Sequence, residues 1–291
     1  MNTDNEIYIG LDIGGTRCRA ASADLRGTVI KRIQGATPAG LDEGLDLLHK
    51  MIAEAAGDRS IKAIGAAIGG PLDHVQGVVS PLHQPAWRNV GLKALMTEKY
   101  GCDFHVDVDT NVAALGEWKY GGEKASRFLY LTLSTGMGGG FLIDGNIYRG
   151  AGGGHPEVGH HSIACKCTYP ERVSCECGGT DCLEALISGN GIRRIYGRPA
   201  EELCPDEWNE VACNLGQGLR NLTAIYLPDV IALGGGVAIG GGEKLLKTAV
   251  ETMKQNLFIL KPPEVRLSRL GKDTPLLGAI ALAMQSRDRS K

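Results

Sequence analysis

Between His155 and Ala185 the chain reads HPEVGHHSIACKCTYPERVSCECGGTDCLEA, a run holding five of its nine cysteines and three of its seven histidines. Sulfur and imidazole nitrogen at this density point to a disulfide cluster, a redox switch or a metal site. Nine is an odd number, which argues against a fully paired disulfide framework. The start of the chain, MNTDNEIYIGLDIGG, lacks the basic and then apolar pattern of a secretory leader. The chain is therefore read as cytoplasmic, where clustered cysteines are more often metal ligands or catalytic groups than structural bridges.

Three glycine-rich loops form a second set: DIGGTR (12–17), LSTGMGGG (133–140) and ALGGGVAIGGG (232–242). Glycine after a strand lets backbone N–H groups approach phosphate oxygens closely, although each loop alone reads equally well as a tight turn. The first two loops lead back into strands rather than into helices, and no GxxxxGK[ST] pattern occurs, so the Rossmann and P-loop folds are disfavoured. What remains is a strand-loop-strand clamp occurring once in each half, at Asp12, Gly14, Gly15 and Thr16 and at Ser134, Thr135, Gly136 and Gly138. Such hairpins suit the β- and γ-phosphates of ATP, with Mg2+ bridging the oxygens and Asp12 holding the ion directly or through water. The third loop, with Gly235 and Gly236, ends a strand before a helix and suits the nucleoside. Asp109 stands where DFHVDVD ends and TNVAALGEWKYG begins. A carboxylate at a helix N-terminus is kept ionised by the dipole and can accept a hydroxyl proton; the same position also suits a plain N-cap.

These residues need elements to place them. At 291 residues the chain is longer than one core usually serves, so two domains are expected. A net charge of -2, with both signs mixed throughout, leaves no footprint for nucleic acid or an anionic membrane, and no stretch approaches the ~18 apolar residues of a spanning helix. Small molecules or a second subunit are the expected partners. IYIGLDI and RFLYLTL read as strands that pass through glycine loops into further strands, and Asp144-Gly145 marks a two-residue hairpin. Helical spacing joins Leu41, Leu45, Leu48, Ile52 and Ala55; a longer stripe runs from Trp208 to Ile225, and another through Leu246, Val250, Met253 and Leu257. IKAIGAAIGG and DVIALGGG read as buried strands. A last helix is expected at LLGAIALAMQ, with Thr274 as N-cap and Pro275 in its first turn. Strands alternating with helices in both halves make the class α/β.

IGLDIGGTR, VDTNVAALGE, LSTGMGGGFLIDG, GGHPEVGHHSI, CECGGTDCLEA, PDVIALGGGVA and LLGAIALA, in this order and spacing, resemble the ROK family of bacterial sugar kinases and sugar-responsive repressors. The resemblance runs from residue 7 to about 284. It implies an actin-like, ribonuclease H-like ATPase fold, in which two α/β domains close on ATP and sugar: residues 1–114 with about 275–291, and residues 115–274 with a zinc loop at 155–184. It implies phosphoryl transfer from ATP to a hexose or N-acetylhexosamine hydroxyl, commonly the 6-OH, by a cytoplasmic homodimer. A non-catalytic sugar-binding regulator is the alternative; those repressors carry a helix-turn-helix of roughly sixty residues before the first strand, whereas here that strand begins near residue 6.

By the same resemblance His160, Cys175, Cys177 and Cys182 hold a structural Zn2+, with the second nitrogen of His160 turned to the sugar. Cys165 and Cys167 form a further CxC outside the family pattern, either of which could join that site. Asp109 matches the aspartate of the family's NDxN motif and is expected to be the general base. Asn111, Glu157, His160 and Glu184 are expected to bind sugar, and His155 to assist there; His161 is expected to be a solvated neighbour. Val108 stands where the family often has a sugar-binding asparagine, so the contact to one hydroxyl is altered. His83, Gln84 and Asn89, in SPLHQPAWRNVGL, are candidates to replace it, and Trp87 is expected in the core.

Overall fold

The structure, a computed structural model, describes residues 5–122, 124–255 and 257–285. Parts of the expected first domain, residues 1–4 and 286–291, lie outside the described residues. The chain forms two compact units, one of residues 1–122, 149–155 and 273–291, the other of 123–148 and 156–272.

The first unit opens with β1 (Glu6–Ile13), β2 (Arg17–Ala23) and β3 (Val29–Ala36), an antiparallel meander. After α1 (Leu41–Ala56), β4 (Ser60–Ile68) returns parallel to β1. Three two-residue strands, β5 (Leu72–Asp73), β6 (Val78–Val79) and β7 (Val90–Gly91), make a small antiparallel sheet ahead of α2 (Leu92–Tyr100). Then β8 (Asp103–Val108) joins β4 in parallel and runs directly into α3 (Asp109–Tyr120). The main sheet has the order β3-β2-β1-β4-β8. Leu48, Ile52 and Ala55 of α1 are buried as their spacing requires, and Trp87 is fully enclosed with them.

The second unit repeats this plan. β9 (Arg127–Leu133), β10 (Met137–Ile143) and β11 (Asn146–Ile147) form the meander, turned at Asp144 and Gly145, which both have positive φ. Positive φ at both positions is the mark of a type I′ hairpin. A long loop then leads to α4 (Leu183–Ile187), α5 (Gly189–Tyr196) and α6 (Pro205–Tyr226); β12 (Val230–Gly234), α7 (Gly236–Gln255) and β13 (Glu264–Leu267) complete the unit. Its sheet order, β11-β10-β9-β12-β13, corresponds strand for strand to the first. The chain closes with α8 (Thr274–Met284), which packs in the first unit on β1 and β4. A Cβ on Gly65 of β4 would lie 2.0 Å from the Ala279 carbonyl oxygen, so glycine there is what admits α8 to the sheet.

Some boundaries differ from expectation. Thr274 is the first helical residue of α8 and fully buried; Asp273 is the N-cap. The apolar stripe of α6 ends at Leu222, because Ile225 is 64% exposed. Gly242, with φ 56° and ψ -149°, interrupts α7, and Leu257 is buried just past the helix end at Gln255. Among the described residues no helix is long and apolar enough to cross a membrane.

Candidate active site and metal centre

In the first unit the ends of β1 and β8 carry the two candidate carboxylates. The structure separates Asp109 from the plain N-cap it resembles in sequence: Val108 holds the cap position, and Asp109 is the first residue of α3. Its Oδ1 accepts a hydrogen bond of 2.7 Å from the Thr110 N–H. Burial pushes the Asp109 carboxyl up to about 6; the Thr110 bond opposes this, the Asp12 charge adds to it, and His155 and His83 pull the other way. Four residues noted separately in the sequence thus share one electrostatic environment.

Asp12 is held more tightly than its motif suggested. The Arg19 guanidinium reaches Asp12 Oδ2 with Nε at 2.7 Å and Nη2 at 2.5 Å. Burial raises the Asp12 carboxyl above the usual range, and Arg19 offsets part of that. The loop beyond it is a closed turn: Gly14 N donates to Arg17 O, and Thr37 Oγ1 donates to Gly14 O. Gly15 and Thr16 stand exposed at its tip.

Several other residues fall otherwise than their sequence context implied. Gln84 is only 7% exposed and its Nε2 is buried without a partner, so it is no solvated loop residue. His83 is exposed, and Asn89 occupies a positive-φ turn bonded to Ser80. Val108 is buried, its methyl groups 3.7–3.9 Å from the position of a Cβ on Gly70.

In the second unit the loop after β9 is held from behind. The N–H groups of Gly189 and Asn190, in the first turn of α5, donate to the Ser134 and Thr135 carbonyls. Glu184 Oε2 accepts from Met137 N at 2.8 Å, so one carboxyl oxygen fastens β10 beside Gly136 and Gly138. In the third loop Gly235 has φ 87°, and a Cβ on it would sit 2.2 Å from Leu133 O. Glycine is required there on both grounds.

His160, Cys175, Cys177 and Cys182 gather their ligand atoms within 4.8 Å of one another. Cys175 Sγ lies 3.4 Å from His160 Nδ1, and Cys177 Sγ lies 3.4 Å from Cys182 Sγ. Tetrahedral zinc, with bonds of about 2.3 Å to sulfur and 2.0–2.1 Å to nitrogen, needs ligand atoms roughly 3.5–3.8 Å apart, so the donor set and its spacing fit that ion. Nδ1 faces the thiols, while Nε2 is turned toward Glu157 Oε2 at 4.0 Å. Cys165 and Cys167 stand outside the cluster, and burial pushes both thiols up, with Cys167 adding to the effect at Cys165 and the Tyr169 N–H opposing it at Cys167. His161 is half-buried rather than solvated, with Nδ1 bonded to the Val158 carbonyl at 2.8 Å.

The ROK family pattern matches residues 8–286. The chain belongs to the ROK family. This ROK chain is 29% identical over 328 residues to a glucokinase of Halalkalibacterium halodurans, covering 97% of itself and 96% of that protein. It superposes on the ROK hexokinase of Thermus thermophilus with a TM-score of 0.85 at 31% identity, covering 97% and 99% of the two chains. A ROK glucokinase of Streptomyces griseus, solved with glucose and AMPPNP, gives 0.77 at 28% identity over 96% and 99%. The fold is thus the actin-like α/β fold of ROK sugar kinases. Two polar residues beside the ROK motifs escaped the sequence reading. Asp107, inside the strand pattern, is a 1% exposed carboxylate, and Arg149, in the irregular stretch after β11, is its partner. Alternation along DFHVDVD identified the strand, but nothing in it distinguished a buried acid from a solvated one.

Proposed function

We propose that the chain phosphorylates a hexose or N-acetylhexosamine at a hydroxyl, the 6-OH, with ATP and magnesium. It is an ATP-dependent sugar kinase, and Asp109 is the general base. The observation that carries this reading is the ROK match over residues 8–286 with Asp109 at the β8–α3 junction, where burial raises its carboxyl to about 6. A base whose proton affinity lies close to working pH is ionised when substrate arrives and still able to take the proton. The sugar hydroxyl gives its proton to Asp109 as its oxygen bonds the γ-phosphorus; the bond from phosphorus to the β,γ-bridging oxygen breaks, and ADP leaves.

Gly15, Thr16, Thr135, Gly136 and Gly138 supply main-chain donors to the phosphates, Gly14 closes the turn that carries the first two through its own bond to the Arg17 carbonyl, and Gly235 and Gly236 face the nucleoside. Asp12 offers the hard oxygen that magnesium takes, through Oδ1 or a water, since Arg19 occupies Oδ2. Asn111, Glu157, His160 and Glu184 bind the sugar hydroxyls. Zinc held by His160, Cys175, Cys177 and Cys182 would fix the loop and the imidazole, and four such ligands would leave it no open position for chemistry. The protein acts in the cytoplasm as a homodimer, which light scattering would check.

ADP release from the purified chain, measured with ATP and magnesium against glucose, fructose, mannose, N-acetylglucosamine and N-acetylmannosamine, tests the reading. Saturable turnover with at least one of them is expected. Binding of these sugars without any phosphate transfer would make the protein a sugar-responsive regulator instead.

A further inference from the structure

The buried ion pair behind the strand-to-helix junction has no place in the roles above. Asp107 is 1% exposed. A carboxylate so enclosed is strongly destabilising unless several donors meet it. Its Oδ1 accepts from Val108 N at 2.7 Å and from Asn111 Nδ2 at 2.9 Å, and the Arg149 guanidinium closes on Oδ2, with Nη1 3.5 Å from Oδ1. Three donors from three places in the sequence therefore converge on one side chain.

Two consequences follow from acceptor chemistry alone. An ionised carboxylate only accepts hydrogen bonds, so the Asn111 amide must turn its NH2 toward Asp107. Its carbonyl oxygen is then the group left over. Asn111 is fully buried, and that oxygen has no partner among the described residues. An unmet buried acceptor is destabilising, so the direction of this amide is set by Asp107 and not by its own oxygen. Arg149 contributes the second consequence. It opens the segment 149–155, which packs with the first unit although both flanking stretches belong to the second. The segment is rich in glycine and ends at His155, one of the charges acting on Asp109. Glycine-rich backbone has little stiffness of its own, so a fork-shaped ion pair at its entrance fixes where it runs.

We propose that Asp107 and Arg149 are positioning residues for phosphoryl transfer: the pair fixes Asn111 in the first turn of α3, the turn that Asp109 opens, and anchors the segment that carries His155. This rests on the sugar-kinase reading. Neither residue touches the reacting atoms.

The test measures KM for sugar, KM for ATP and kcat with glucose, fructose and N-acetylmannosamine, for the wild type, Arg149→Lys, Arg149→Met and the double variant Asp107→Asn/Arg149→Met. The double variant leaves no unpaired buried charge, so it folds even where a single charge deletion does not; circular dichroism confirms folding. Sugar KM is expected to rise about tenfold in Arg149→Met and to stay raised in the double variant, with ATP KM within about twofold of wild type and Arg149→Lys in between. A pair that served stability alone would return the sugar KM to wild type once both charges were gone. That result overturns the proposal, as does an unchanged sugar KM in Arg149→Lys and Arg149→Met. A wild-type chain that phosphorylates none of the three sugars overturns the kinase reading, and this inference with it.

Discussion

At the Val108–Asp109 junction of the first unit, polar groups are held by secondary structure and by one another: Asp107 by three donors, Asp12 by Arg19, Asp109 by the first turn of α3. In the second unit, the loop between β11 and α4 has little regular structure and buries few apolar residues, among them Val158, Ile163 and Val173. Its polar ligands instead converge on one point, where His160 and three cysteines meet. The sheets that carry these two regions have the same strand order. A strand-to-helix junction can thus fix a carboxylate with hydrogen bonds it already possesses, whereas the loop, poor in core residues, brings the side chains that could hold a metal ion to one point.

The largest effect that would sharpen this contrast is loss of the base. Asp109→Ala is expected to lower kcat by about 10²–10⁴-fold while zinc content and sugar binding largely persist. Undiminished phosphorylation would remove Asp109 from its role. The complementary change, Cys182→Ser or prolonged chelation, is expected to lower the thermal midpoint by on the order of 10 °C and to release the zinc, one ion per chain by elemental analysis. An unchanged midpoint would show that the loop holds itself together without metal.

A smaller effect concerns pH. With its carboxyl raised to about 6, Asp109 should give kcat/KM an acid limb centred near pH 6, activity falling as pH drops through it. The stability consequence has the opposite sense. The folded state favours the protonated form, so a cost accumulates as pH rises from about 4, the unfolded value, to about 6. Asp109→Asn should therefore melt a few degrees higher than wild type at pH 7, roughly 2–4 °C, and show no such gain at pH 4. Thermal scans at the two pH values decide it. Smallest of all, Cys165→Ser and Cys167→Ser should leave zinc at one ion per chain, since neither sulfur belongs to the cluster.

Much of this was legible in the residues themselves. Period-two alternation located β1, β8 and β9, and helical spacing located α1 and most of α6, because burying one face imposes that period whatever the fold. The cysteines and histidines of 155–185 also stood out by their density, and the resemblance to the ROK motifs singled out His160, Cys175, Cys177 and Cys182 among them. Less accessible were interactions that strand pairing and packing create. Arg19 caps the Asp12 carboxylate across an antiparallel pair, and Gln84, in a stretch that reads as open loop, is enclosed. The end of the apolar stripe on α6 was likewise misplaced, because spacing identifies a face but not where the neighbouring elements stop covering it.

Composition and period thus determined the class of fold and most of the longer strands and helices, through patterns that any burial enforces, and the resemblance to the ROK motifs singled out the four candidate metal ligands. Tertiary structure decided the electrostatic state of Asp109, the turning of the Asn111 amide, and the meeting of Asp107 with Arg149 across some forty residues. Proton affinity and hydrogen-bond direction depend on which groups surround an atom and on how much water is excluded from it, and neither is a property of sequence neighbours.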